Sequence, residues 1–177
     1  MKRLIIFLPF VLFIMISCQD KQAMAELDEL KAQKELEQQN KALIEKCFEE
    51  LNNKNFQIYD EYCDPQYRFY NPSINPNPLS LEDMKGYLES LFKAFTDLNW
   101  SIKEIFAEGD RVIVWNVFSY IHENEFQGIP ATGNKVEGSS ILIYKIQNGK
   151  ILEEREEADM LGLMLQSGME LKLKETE

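Results

Sequence analysis

The sequence predicts an α+β fold in which a curved mixed or antiparallel sheet, wrapped on helices, forms a cone-shaped barrel. The first observation is a change of hydrophobic period, from helical spacing before about residue 97 to strict alternation after it. The second is a pair of glycine-containing hairpin turns, "AEGD" and "QNGK", between the alternating runs. Helices followed by an antiparallel meander are typical of α+β domains, and the mouth of such a cone can hold a small molecule.

The N-terminus has the pattern of a secretory signal peptide over residues 1–17. Lys2 and Arg3 precede an apolar run that ends at Ser17. The following "MISC" resembles the lipobox of bacterial lipoproteins, which implies that Cys18 is lipidated and becomes the new N-terminus. A plain signal peptide and an uncleaved anchor are the alternatives. The lipoprotein interpretation predicts attachment to a membrane of the bacterial cell envelope, on the periplasmic or surface side.

Residues 18–40 are predicted to be a lipidated N-terminus followed by a charged helical tether. The segment is rich in glutamate, glutamine and lysine and has no glycine or proline. A short coiled coil is the alternative, but its apolar seam of Leu27, Leu30 and Leu36 is thin. The folded domain is expected over residues 41–177.

Three helices are predicted at the start of the domain. The first has apolar residues at helical spacing and ends at "NNKN", and "FQIYDEYC" forms a short second helix. The segment "DPQYRFYNPSINPNP" is expected to be extended. Ser80 and Asp83 predict the N-cap of a third helix whose buried stripe ends near Phe95. The apolar positions of the first helix are Leu43, Ile44, Cys47, Phe48 and Leu51.

Four strands are predicted after the third helix, since the residues alternate and are rich in β-branched and aromatic types. The four runs are "NWSIKEIFAEG", "DRVIVWNVFSYIHE", "KVEGSSILIYKIQ" and "KILEEREEADML". In the second run, alternation places Asn116 and His122 on one face and Trp115 on the other. Asn116 in an apolar run would be a buried amide that needs a partner, which favours a pocket on that face.

The composition excludes some classes of function. A net charge of −11 argues against nucleic-acid binding, which requires a basic face. One histidine and no CxxC pair cannot provide the usual ligands of a zinc site, so no metal is expected. Cys47 and Cys63 are either buried free thiols or a disulfide formed in an oxidising envelope.

The stretch "HENEFQGIPATG" resembles the SnoaL-like polyketide cyclases, or ester cyclases, of the nuclear transport factor 2-like superfamily. The resemblance also includes the "NGKILEE" turn and "ADMLGLMLQSG", and covers residues 41–170. The family's pattern of a histidine, a short polar turn and Gly-x-Pro-x-Thr-Gly begins at His122 and ends at Gly133. An aspartate before a Leu-Gly-Leu helix start is matched by Asp159, and an aromatic-Asn-Pro close by Tyr70, Asn71 and Pro72.

The resemblance implies an intramolecular aldol chemistry without a cofactor, in which Asp159 is the acid–base group and His122 its partner. A carboxyl group in an apolar pocket has a raised pKa, which suits it to proton transfer. It also implies a homodimer that associates sheet to sheet, here through Ile113, Trp115 and Val117. The residues expected in the pocket, with Asp159 and His122, are Tyr70, Asn71, Asn116, Phe118, Tyr120, Phe126 and Arg155.

The last predicted strand departs from the family, because its sequence is "EEREEAD". Alternation places Glu153, Arg155, Glu157 and Asp159 on one face, which either lines the cone or is a solvated edge. If Arg155 pairs with Asp159, it lowers the carboxyl pKa and disfavours proton transfer. Two functions remain open: a non-catalytic protein that binds a small organic molecule or a partner peptide, and a cofactor-free cyclase or isomerase.

Overall fold

The computed structural model describes the backbone of residues 7–170 and 172, and the side chains of residues 21–170 and 172. The described residues divide into two compact units, with the boundary between Leu36 and Glu37. The start of the predicted signal peptide and the side chain of Cys18 lie outside the described residues. No helix in the described part of the chain has both the length and the apolar character needed to cross a membrane.

The first helix continues without a break from the predicted tether into the predicted domain. Its buried apolar positions in the second unit are Ile44, Cys47, Phe48 and Leu51, which recur at the spacing that places side chains on one face of a helix. The four helices described are α1 (Phe7–Asn52), α2 (Ile58–Tyr62), α3 (Leu81–Ala94) and α4 (Met160–Gln166).

Five strands form one sheet, which confirms the predicted α+β class, but the sheet is not closed into a barrel. The strands lie side by side in the order β1-β5-β4-β3-β2. The four predicted strands are present and pair antiparallel in sequence order. The bounds are β1 (Cys63–Tyr70), β2 (Phe95–Glu108), β3 (Arg111–His122), β4 (Lys135–Gln147) and β5 (Lys150–Ala158).

The strand β1 is the element that the sequence did not predict. It lies at the sheet edge and pairs parallel with β5, with Phe69 opposite Glu154 and Tyr70 opposite Arg155. Its partner is therefore more than eighty residues away in the chain, and a hairpin turn signal cannot reveal such a pair. The sheet is consequently mixed.

The helix α3 begins where the sequence predicted, at a capping box. The Ser80 hydroxyl accepts a hydrogen bond from the Asp83 backbone N–H, and the Asp83 carboxylate accepts one from the Ser80 N–H. The helix ends at Ala94, and Phe95 begins β2 rather than completing the buried face of α3.

The second unit has its core between the sheet and the C-terminal part of α1. Asn52 joins the two, since its side chain donates to the Trp100 carbonyl at 2.8 Å and accepts from the Trp100 N–H at 2.9 Å. Tyr67, Ile44 and Val112 are fully buried in this core. The same side of the sheet contains the cavity described below.

The other side of the sheet has an exposed apolar ladder across β2, β3 and β4. Trp115 lies opposite Ile141, and Ile113 lies between Phe106 and Ile143. Trp115 is 43% exposed and Ile141 is 52% exposed. The predicted outward direction of Ile113 and Trp115 is therefore observed.

Candidate functional site

A cavity of about 190 Å³ lies between the concave side of the sheet and helices α1, α3 and α4. Most of its wall is aromatic or aliphatic. Polar side chains also line it, among them Asn71, Asn116, His122, Glu154 and Glu156. The aromatic residues of the wall are Phe48, Tyr59, Phe69, Tyr87, Phe95, Trp100, Phe118, Tyr120, Phe126 and Tyr144.

The strand β3 contributes the polar residues that its alternation predicted. Asn116 and His122 are buried, and both line the cavity together with Phe118 and Tyr120. His122 is also the last residue of β3, and its ring packs against Phe95 with centroids 5.3 Å apart. The histidine therefore ends a strand and lines a pocket.

The loop after β3 supplies a second part of the wall through a tight turn. Phe126 and Ile129 exchange two backbone hydrogen bonds, of 3.0 and 2.9 Å. Between them Gln127 and Gly128 both have positive φ, which glycine adopts at little cost. Phe126, Gln127 and Ile129 all line the cavity, so this turn places the loop against the cavity.

The strand β5 presents two carboxyl groups to the cavity. Glu154 is 4% exposed and Glu156 is half-buried, and both line the cavity. Arg155 and Glu157, which alternate with them, are exposed. The sequence left open whether the face with Arg155 and Asp159 lines the cavity or is exposed to solvent, and the structure shows that it is exposed to solvent.

Glu154 is held by two tyrosines in the deep part of the site. The Tyr67 hydroxyl donates to Glu154 Oε2 at 2.6 Å, and the Tyr144 hydroxyl donates to Oε1 at 3.4 Å. Burial raises the pKa of Glu154 to about 7; the Tyr67 hydrogen bond lowers it and the charge of Glu156 raises it. Glu154 can therefore gain or lose a proton near neutral pH.

Glu156 is joined to the neighbouring elements by a chain of hydrogen bonds. The Asn71 amide donates to Glu156 Oε2 at 3.1 Å, and Ser140 also hydrogen-bonds to this carboxyl group. Ser140 Oγ in turn accepts from Asn116 Nδ2 at 2.8 Å. Burial raises the pKa of Glu156, while the bonds from Ser140 and Asn71 favour its anion.

Two buried polar atoms of residues that line the cavity have no partner in the described structure: Asn116 Oδ1 and His122 Nε2. The other ring nitrogen of His122 lies 3.4 Å from Thr132 Oγ1. Buried polar atoms in native proteins are nearly always paired, so these two atoms are positions where a bound molecule would make hydrogen bonds.

Asp159 lies outside the cavity. It is the N-cap of α4, and its Oδ1 accepts a hydrogen bond from the Gly162 N–H at 2.9 Å. Its side chain is exposed and lines a shallow outer groove with Trp115 and Gln166. Asp159 therefore does not share the enclosed space with His122, because strand alternation turns it to the opposite face from Glu154 and Glu156.

Tyr70 and Arg155 also lie away from the cavity. The Arg155 guanidinium is 4.0 Å from the centre of the Tyr70 ring and pairs with Glu153 at 3.0 Å, rather than with Asp159. Tyr70 and Asn71 are adjacent in an extended chain, so both cannot face the same side of the sheet. Asn71 is the one that lines the cavity.

The predicted and observed sites therefore overlap in part. The structure brings together Asn71, Asn116, Phe118, Tyr120, His122 and Phe126. The residues missed were Glu154 and Glu156, although the same alternation places them together on the other face of β5. Cys47 and Cys63 are both buried and free, and burial raises the pKa of each thiol, which makes the reactive thiolate rare.

A family of known proteins matches the part of the chain that forms the sheet and the cavity. The family model of the SnoaL-like polyketide cyclases matches residues 42–167. That range includes all five strands and every cavity group discussed above. No curated protein sequence matches the chain significantly.

Several solved structures resemble the chain over almost their whole length. AclR from Streptomyces galilaeus, a candidate hydroxylase, is 27% identical, with a TM-score of 0.67 over 75% of this chain and 97% of that one. TsrD from Streptomyces laurentii is 26% identical, with a TM-score of 0.65 over 73% and 95%. IdmH from Streptomyces antibioticus, a candidate polyketide cyclase, is 22% identical, with a TM-score of 0.66 over 73% and 99%, and this likeness supports the fold alone.

Proposed function

The chain belongs to the SnoaL-like polyketide cyclase family, and from this premise we propose that its cavity binds a small, largely apolar organic molecule. The observation that carries the proposal is the pair of unpartnered buried atoms, Asn116 Oδ1 and His122 Nε2, in residues that line a largely apolar cavity. Concave apolar sites with a few convergent polar groups are the usual form of small-molecule sites.

Binding is tested with neutral aromatic probes such as 2-phenylethanol, by calorimetry on the full chain in detergent. Ala158 lines the cavity, and Ala158→Phe adds a side chain where the probe would lie. We expect this variant to lose binding and to retain a cooperative thermal transition. The matched control is Glu157→Gln on the exposed face of the same strand, which should bind as the native protein does.

A second candidate function is cofactor-free proton transfer, favoured by the raised pKa values of Glu154 and Glu156. In an intramolecular aldol closure, the Glu156 carboxylate takes a proton from a carbon next to a carbonyl. The enolate carbon then attacks a second carbonyl carbon, and the new alkoxide takes the proton back from Glu156. The step balances without a cofactor, and the apolar wall keeps water from the enolate.

The simplest probe of this chemistry is heptane-2,6-dione, whose cyclisation product is followed by gas chromatography. We expect Glu156→Gln to abolish any acceleration, because the amide cannot accept the proton. Asp159→Asn should retain it, since Asp159 caps α4 outside the cavity. The reverse pattern, with activity dependent on Asp159 and independent of Glu156, would restore the assignment made from sequence.

We also propose that the protein is a lipoprotein of the bacterial cell envelope, anchored through Cys18. The support is the apolar run that ends at Ser17 and the "MISC" match, both from sequence. Cys18→Ser should release the protein from the membrane fraction or stall its processing. Mass spectrometry that finds an unmodified N-terminus downstream of Cys18 in the native protein would disprove the anchor.

A further inference from the structure

The hydrogen-bond directions around Asn116, which lines the cavity, determine which of its atoms is left unpaired. Ser140 has one hydroxyl hydrogen, which it donates to Glu156, where it favours the anion. Ser140 Oγ must then accept from Asn116 Nδ2, at 2.8 Å. The atom of Asn116 left without a partner is therefore the carbonyl oxygen Oδ1, a pure acceptor in a side chain with no exposed surface.

His122 has a second buried atom without a partner in the described structure. Its Nδ1 lies 3.4 Å from Thr132 Oγ1, and its Nε2 is the ring nitrogen that has no partner. Nε2 accepts a hydrogen bond in the tautomer that carries its hydrogen on Nδ1. The residue is only 2% exposed, so water at the outer surface does not satisfy it.

The carboxyl groups of Glu154 and Glu156 also lack a positively charged partner in the described part of the cavity. Glu154 and Glu156 receive hydrogen bonds from neutral donors only, namely tyrosine, serine and asparagine side chains. Among the described residues that line the cavity, none is a lysine or an arginine. Buried carboxylates are normally paired with a cation, so the cavity has negative charge and acceptor atoms without a basic group to match them.

The remaining wall also favours a cation. Ten aromatic residues line the cavity, and the faces of aromatic rings attract positive charge when it is shielded from water. A carboxylate ligand would meet repulsion from Glu156, and an uncharged ligand would leave most of the acceptors unpaired. An ammonium group has three N–H donors for the unpaired acceptors and a positive charge that balances a carboxylate.

We propose that the ligand of this cavity is a small organic amine, bound as its ammonium ion. The ammonium donates to Asn116 Oδ1 and to the Glu156 carboxylate, and the hydrocarbon part lies against the aromatic wall. This assignment rests on the proposed function, since it names the chemical class of the molecule that the cavity binds.

The test compares three probes that share a phenyl ring and a short chain: 2-phenylethylammonium, 2-phenylethanol and phenylacetate. Their affinities for the full chain are measured by calorimetry at pH 8. Charge-assisted hydrogen bonds and a cation–π contact should make the ammonium bind about tenfold or more tighter than the alcohol. Phenylacetate should bind most weakly.

Two variants locate the effect. Glu156→Gln should lower the ammonium affinity several-fold and leave the alcohol affinity nearly unchanged, because it removes the carboxylate that the ammonium contacts, while Glu154 and the aromatic wall remain. Asn116→Leu keeps the branched shape of the side chain, removes the carbonyl acceptor and should weaken ammonium binding more than alcohol binding. Glu157→Gln removes a charge from the exposed face of β5 and should leave all three affinities unchanged.

The outcomes separate this inference from the proposed function. Equal binding of the alcohol and the ammonium by the native protein overturns the amine assignment and leaves a small-molecule site in place. Failure of all three probes to bind overturns both. An ammonium preference that is undiminished in folded Glu156→Gln and Asn116→Leu proteins also overturns the inference. The comparison on the native protein does not depend on either variant being stable.

Discussion

Glu154→Gln should stabilise the folded protein at alkaline pH, although it removes a charged form from a hydrogen-bonded network. Burial raises the pKa of Glu154 to about 7, above the ordinary value of 4.5. The folded state therefore holds this proton more tightly than the unfolded state does. Stability is then highest when both states are protonated, falls as the pH rises through 4.5, and stops falling above about 7.

The size of the effect follows from the same pKa values. One pKa unit corresponds to about 1.36 kcal/mol, so ionised Glu154 costs the fold about 3 kcal/mol at pH 8. At pH 5 the cost is about 1 kcal/mol, because the folded carboxyl group is still protonated. Glutamine is neutral at both values, and its amide can still accept from the Tyr67 hydroxyl, which donates to Glu154 in the native protein.

The measurement is urea unfolding of both proteins at pH 5 and pH 8. The stability difference between Glu154→Gln and the native protein should become about 2.5 kcal/mol more favourable to the variant at the higher pH. Glu157→Gln is the control, since Glu157 is exposed and its replacement should cause little dependence on pH. A difference for Glu154→Gln that is the same at both values would refute the buried-carboxyl argument.

The groups around Glu154 do not obscure this result. Its titratable neighbours Tyr59, Tyr67 and Tyr144 have pKa values raised well above the ordinary 10, chiefly by burial. Burial likewise raises the pKa of Cys47 and Cys63, so the thiols also stay neutral between pH 5 and 8. Glu156 titrates in both proteins, with its pKa raised by burial. The repulsion between its charge and Glu154 is already included in the raised pKa of Glu154, and Glu154→Gln removes it.

Two further predictions concern residues outside the cavity. Asp159→Ala should cost about 1 kcal/mol of stability, because it removes the hydrogen bond to the Gly162 N–H at the start of α4, and Asp159→Asn should restore most of it. Chemical denaturation measures the free energy of unfolding of both variants. A loss well above about 2 kcal/mol for Asp159→Ala would contradict a simple capping role. Trp115→Glu should convert the proposed homodimer into a monomer in light scattering, since it places a charge in the exposed apolar ladder. A native protein that is already monomeric at micromolar concentration would rule out association through this face.

The local sequence is sufficient for the elements whose partners are near in the chain. Ser80 and Asp83 specify the start of α3 through a capping box that spans four residues. The alternation of β3 places Asn116 and His122 on one face. The glycines of the predicted turns "AEGD" and "QNGK", Gly109 and Gly149, both have the positive φ that such turns require. The family pattern from His122 to Gly133 was also readable, and the family model confirms the relationship.

The inward face of β5 was decided only by the tertiary structure. In most strands one face is apolar, so the hydrophobic pattern selects the side that packs on the core. In "EEREE" both faces carry charge, and the pattern does not distinguish Glu154 and Glu156 from Arg155 and Glu157. The choice depends on β1, whose Tyr67 donates to Glu154 and whose neighbouring Asn71 donates to Glu156. These contacts span more than eighty residues, and a buried carboxylate is tolerated only where such donors meet it. The sequence alone therefore determined the fold class and part of the pocket, whereas the acid groups of the site were determined by long-range pairing.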